Sequence, residues 1–152
     1  MPVPQTIKIR REKGFHTDQI GKYGDGHQFM AFVVAAVARP PKKRKTELHW
    51  YAVLHTFDPR GRHLNTEAWL AGKAGGVQRE VVERAEGRLA DMIAALGKVR
   101  YGSIKASLFR VQVDGHTFGL VDASEPGEDY ETIHLLPNEL AFFPPWDGTY
   151  DT

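Results

Sequence analysis

The sequence predicts an α+β fold, a largely antiparallel sheet built from hairpins with one main helix packed on one face. Three observations carry this. Asp58-Pro59-Arg60-Gly61 and Asp114-Gly115 are hairpin turn signals, each flanked by segments rich in β-branched, aliphatic and aromatic residues. Residues 77–96 form the one stretch whose apolar positions recur clearly at helical spacing. The chain has 152 residues and no internal repeat, which suits a single globular domain spanning 1–152.

Residues 6–11 make a candidate short strand. A loop rich in glycine and charge follows and closes on the turn signal Gly24-Asp25-Gly26. Residues 27–38 read as a strand with both alternating faces apolar, as in a central strand covered on both sides, although their alanines leave a helix open. Arg39-Pro40-Pro41-Lys42-Lys43-Arg44-Lys45 breaks that pattern, because prolines and like charges favour an exposed connection.

Residues 48–58 are the next strand. Pro59 and Gly61 match a type I turn closed by a left-handed glycine, which sets Asp58 opposite Arg62. Carried along the hairpin without interruption, this register sets Leu54 opposite Thr66, Ala52 opposite Ala68 and Trp50 opposite Leu70 on one apolar face. The other face then holds Phe57 opposite His63, His55 opposite Asn65, Val53 opposite Glu67 and Tyr51 opposite Trp69.

Residues 71–76 are a glycine-rich connector to the helix. There Val81, Val82, Ala85, Leu89, Met92, Ile93 and Leu96 form an apolar stripe, and Gly97 suits the left-handed position after the last turn. Asp114-Gly115 joins strands 104–113 and 116–123 through a type I′ turn, with Val111 opposite Phe118 and Phe109 opposite Leu120. Residues 124–131 are an acidic loop. Residues 132–136 and 140–143 are short strands, or a strand and a coil. Pro144-Pro145 exclude a regular helix in the tail, which is expected to be extended and packed by Trp146.

Twenty basic and nineteen acidic residues give a net charge of +1, so no overall attraction to nucleic acid or anionic membrane is expected. The run Lys42–Lys45 offers phosphate-binding charge without interleaved aromatics, and reads as a solvated loop tip. The absence of cysteine excludes disulfides, thiolate metal sites and cysteine nucleophiles, and fits a reducing compartment. The longest apolar run, residues 29–38, is half the roughly 20 residues needed to span a bilayer as a helix. The N-terminal segment lacks the apolar stretch of a signal peptide, so a cytoplasmic location is expected.

No Walker A loop, dinucleotide fingerprint, nucleophile elbow or HExxH motif occurs, and neither a cofactor nor a metal site is expected. The mixed polar and aromatic face of the first hairpin is the most informative feature. His55, His63 and Glu67 are the catalytic candidates, since a carboxylate beside an imidazole makes an acid/base pair. Tyr51, Asn65 and Trp69 are binding candidates, with Trp146 in the tail, because Trp and Tyr are favoured interface anchors. The ordinary alternative is a solvated sheet face with unremarkable polar pairs.

Tyr51-Ala52-Val53-Leu54-His55, Phe57-Asp58 through Gly61-Arg62-His63, Gly119-Leu120-Val121 and the closing Pro145-Trp146-Asp147-Gly148-Thr149-Tyr150-Asp151-Thr152 together cover about a third of the chain. They resemble a family of small uncharacterised bacterial proteins, some of which carry the label formate hydrogenlyase regulatory protein. The resemblance implies a bacterial, cytoplasmic, single-domain protein and brings no catalytic residues with it. The expected function is therefore a non-enzymatic protein-binding or regulatory module with a protein partner. The alternative is a small enzyme or metal-binding protein using His55, His63 and Glu67. Partner identity, oligomeric state and strand order stay open.

Overall fold

The structure, a computed structural model, describes residues 3–37, 47–74 and 79–152. The basic run, the end of the glycine-rich connector and the first two residues of the expected helix lie outside the described residues. Twelve strands and one helix are seen among them: β1 Thr6–Ile9, β2 Ile20–Tyr23, β3 His27–Val37, β4 Leu48–Phe57, β5 His63–Ala74, α1 Arg79–Ala94, β6 Val99–Tyr101, β7 Ile104–Ser107, β8 Phe109–Val113, β9 His116–Asp122, β10 Ile133–Leu136, β11 Leu140–Phe142 and β12 Tyr150–Asp151. The fold is α+β and its strand pairings are antiparallel. No helix among the described residues is long and apolar enough to cross a membrane.

The first sheet has the order β5-β4-β3-β2-β6 and the second the order β12-β11-β10-β9-β8, while β1 and β7 form a separate ribbon. Alternation along β3 and β4 divides the apolar residues between two cores. Met30, Phe32, Val34, Tyr51, Val53 and Phe57 pack with Phe118, Leu120, Ile133, Leu135, Leu140 and Phe142 of the second sheet. Phe29, Ala31, Ala52, Leu54 and Ala71 cluster instead with Val81, Ala85, Leu89, Met92 and Ile93 of α1. This explains why residues 27–38 read as apolar on both faces. Burying each large side chain contributes about 1.5–3 kcal/mol.

Both turn assignments hold. Asp58 N donates to Arg62 O at 2.8 Å, and Gly61 sits at φ 98°. Asp114 and Gly115 have φ 52° and 82°, as a type I′ turn requires, and Val111 and Phe109 face Phe118 and Leu120. Gly97, at φ 88°, takes up the left-handed position just beyond α1.

The register of the first hairpin differs from the uninterrupted one. Phe57 pairs with His63, but Thr56 pairs with Asn65 and His55 with Thr66. Leu64 is the extra residue of a β-bulge, and it shifts every later pair by one. A second irregularity sets Tyr51 opposite Leu70 and Trp50 opposite Gly72. The strand expected over 104–113 is two strands, because β7 pairs with β1 and β8 with β9. Two short strands, β2 and β6, lie where the sequence carried no strand signal. A side chain at Gly21 would collide with the Arg100 carbonyl, so glycine is what lets β6 approach β2.

Candidate functional site

The bulge at Leu64 dismantles the expected polar face. Tyr51, Val53, His55 and Phe57 point between the two sheets, and Tyr51 is fully buried. Trp69 pairs with Ala52 and joins the cluster beneath α1. Glu67 pairs with Leu54 and meets Arg88 of α1 at 3.3 Å, and the same guanidinium lies 5.6 Å from the centre of the Trp69 ring. Tyr51 and Trp69 therefore lie on opposite faces, as do His55 and Glu67. Asn65 is exposed on β5. Trp146 is half-buried against the core between the sheets.

His55 and His63 do come together, through a threonine. Thr66 Oγ1 lies 2.7 Å from His55 Nδ1 and 2.7 Å from His63 Nε2. The Asn65 backbone favours a proton on His63, and with that proton on Nδ1 the Nε2 lone pair is left to accept. Partner logic then assigns the protons: Thr66 Oγ1–H donates to His63 Nε2 and accepts from His55 Nδ1–H. His55 Nε2 keeps a bare lone pair with no partner among the described residues.

The surroundings of this relay are aromatic. His55 packs against Phe109, Phe32 and Phe57 at ring separations of 4.8, 5.6 and 6.5 Å, and His63 stacks on Phe109 at 4.2 Å. Burial, then the charge of His63, pushes the His55 pKa down to about 3, so the imidazole is neutral at physiological pH. Burial also lowers His63. A base that no solvent or substrate reaches does no acid/base work on a ligand. Among the described residues, no group of three or more His, Asp or Glu is placed to hold a metal.

A second polar cluster closes the far end of the same interface. Tyr51 OH donates to Asp114 Oδ2 at 2.8 Å, and His49 Nδ1 lies 3.0 Å from His116 Nε2. Burial, then Asp114, raises the Tyr51 pKa and keeps the phenol protonated. Sequence reasoning had no access to these pairs, which join β4 to the β8–β9 turn across 63 and 67 residues.

A cleft of about 620 Å³ opens elsewhere, where the pairing with β2 ends and β3 runs on paired with β4 alone. This is the size range of ligand sites. Its walls come from the loop at 14–19, from Ala31, Phe32 and Val33 of β3, from Glu86 and Leu89 of α1, and from Asn138. Ala31 and Phe32 point to opposite faces of the sheet, so the cleft straddles the edge of β3 rather than lying on one face. Gln19 and Asn138 contribute to the lining, while Gln19 Oε1 and Asn138 Oδ1 themselves are closed off from solvent without a hydrogen-bond partner among the described residues.

The loop that forms the outer wall is held in place. Arg11 donates through Nε to the Asp18 carbonyl at 2.8 Å and through Nη2 to Asp18 Oδ1 at 2.9 Å, with its guanidinium over the Tyr101 ring. Buried Thr17 donates to the Arg10 carbonyl at 2.7 Å and accepts from Glu12 N at 2.9 Å. Phe15, 68% exposed, stands at the lip. The sequence signal that pointed here was weak, a loop of mixed glycine and charge beside an apolar strand. No family model matches the chain, no curated protein matches it, and no solved structure matches it.

Proposed function

We propose that the chain is a bacterial, cytoplasmic, non-enzymatic protein-binding module, and that its partner docks in the cleft at the edge of β3. One observation carries the reading. The cleft combines an outer wall fixed by the Arg11–Asp18 bonds with an edge of β3 along which β2 pairs only as far as Met30. The exposed ring of Phe15 at the lip provides an apolar anchor. The bacterial setting rests on the family resemblance, and the lack of cysteine fits a reducing compartment. An enzyme built on His55, His63 and Glu67 is disfavoured, because His55 is enclosed and Glu67 lies across the sheet.

The test is site-specific photocross-linking in the native cell. A benzophenone side chain in place of Phe15 is expected to give a discrete covalent adduct with a protein. The same group at Tyr130, exposed on the acidic loop, is the control and is expected to give none. No adduct at position 15, or the same adducts at both positions, would overturn the reading.

A further inference from the structure

We infer that the guest of the cleft is an extended, basic peptide segment that adds to the free edge of β3 as a further strand, an inference that rests on the cleft being a protein-docking site. Ala31 N donates to Gln19 O at 2.9 Å, so its N–H points toward the β2 side. Strand alternation turns the backbone N–H and C=O of Val33, Ala35 and Val37 the same way. β2 pairs only as far as Met30, and no described residue bonds these three.

A row of unpaired backbone groups is a template for another strand. This one is apolar, Val33-Val34-Ala35-Ala36-Val37, without the charge, proline or bulge that usually protects an edge. The cleft lies against Val33, between α1 on one face of the sheet and Asn138 on the other. A guest strand entering it would continue the first sheet.

The charge of the walls selects the guest. Glu86 is exposed at the rim and has no ion-pair partner among the described residues. The Asp18 carboxylate is already met by Arg11, and His16 contacts the Tyr150 ring. What remains within reach of a guest is the free carboxylate of Glu86 with the edge of β3 beside it. A guest side chain that carries donors and positive charge, lysine or arginine, complements this set.

The probe is a random heptapeptide library selected on the protein, with an unrelated antiparallel-sheet protein as counter-selection. Enriched peptides are expected to hold Lys or Arg among β-branched residues and to shift the backbone resonances of residues 31–35. N-methylation at alternate amides of one such peptide is expected to weaken binding at least tenfold for the amides facing β3 and little for the others. Glu86→Lys, at an exposed helix position that leaves the fold intact, is expected to weaken basic peptides about fivefold. Enrichment of acidic peptides overturns the charge argument, and equal tolerance of both N-methylation series overturns strand addition while leaving a docking cleft. No enrichment, or shifts confined to another surface, overturns the docking reading as well. A protein that is dimeric by sedimentation and monomeric after Val33→Pro means that a second copy, not a peptide, takes the edge.

Discussion

Thr66→Val tests whether the histidine relay is part of the scaffold. Valine keeps the shape of threonine and removes one hydroxyl, the group that lies 2.7 Å from both His55 Nδ1 and His63 Nε2. His63 is half-buried, so water can replace its partner. His55 is 0% exposed, and its Nδ1–H would be left without an acceptor beside an Nε2 that already lacks a partner. Orphaning one buried donor costs about 1–3 kcal/mol. With a Tm shift of about 2–4 °C per kcal/mol for a chain of this length, the expected loss is about 2 kcal/mol and about 4–8 °C. His55→Leu combined with Thr66→Val removes both partners, and an apolar pair leaves nothing unsatisfied. The double variant is therefore expected to recover at least half of the summed single losses. Urea unfolding at pH 7, with unchanged m, reads each value. A Thr66→Val loss below about 0.5 kcal/mol, the range of ordinary surface changes, would refute the argument, as would strict additivity in the cycle.

The same histidine predicts a pH dependence. Its folded pKa of about 3 lies below the ordinary histidine value of 6.5, so between those values the unfolded chain binds more protons. Its contribution is complete above pH 6.5 and is lost as pH falls toward 3, at up to about 1.4 kcal/mol per pH unit. From pH 7 to pH 5 the wild type should lose about 2 kcal/mol more than His55→Leu in urea melts, and parallel losses would sink the assignment. Tyr51→Phe should cost about 1 kcal/mol by freeing Asp114 from its phenol partner, and Tyr51→Ala about 3–5 kcal/mol by opening the core; thermal melts that find Tyr51→Ala no worse than a surface change would contradict the burial. Arg11→Gln should raise hydrogen exchange across residues 14–19 without lowering Tm appreciably, because its bonds hold the loop and not the core; unchanged exchange would mean that the loop holds itself.

What was legible in the sequence is what single residues dictate. Gly61 and Gly115 mark positive φ, and both hairpins follow from them. The apolar run of residues 27–38 showed both faces of a central strand, and the stripe from Val81 to Leu96 showed the helix. The bulge at Leu64 carried no such mark, since neither glycine nor proline stands there and a leucine reads as inward-facing. The bulge moves Thr66, Ala68 and Leu70 from the face of Leu54 and Ala52 to the face of His55, Val53 and Tyr51, and leaves Trp69 and Ala71 beneath α1. Two cores rather than one would have been the clue, because Tyr51, Val53 and Phe57 need a second sheet to cover them. β2 and β6 were illegible for another reason. They have four and three residues, and only their neighbours in space make them strands.

The location of the candidate site follows from the same distinction between polar groups that are answered and those that are not. Tyr51 is answered by Asp114, His63 by Thr66 and the Asn65 backbone, and Arg88 by Glu67 and the Trp69 ring. These groups join one element to another, and for Tyr51 and His63 the bonds offset burial. His55 Nε2 is unanswered but sealed among phenyl rings, where a guest cannot reach it. Gln19 Oε1 and Asn138 Oδ1 are likewise sealed, whereas the outer edge of β3 is unanswered by any described residue and borders the cleft at Val33. Trp50 Nε1 is also buried without a partner among the described residues, so the β3 edge is the unanswered polar surface that a guest can reach. That is the reason to look for a partner at β3 and not at the histidines.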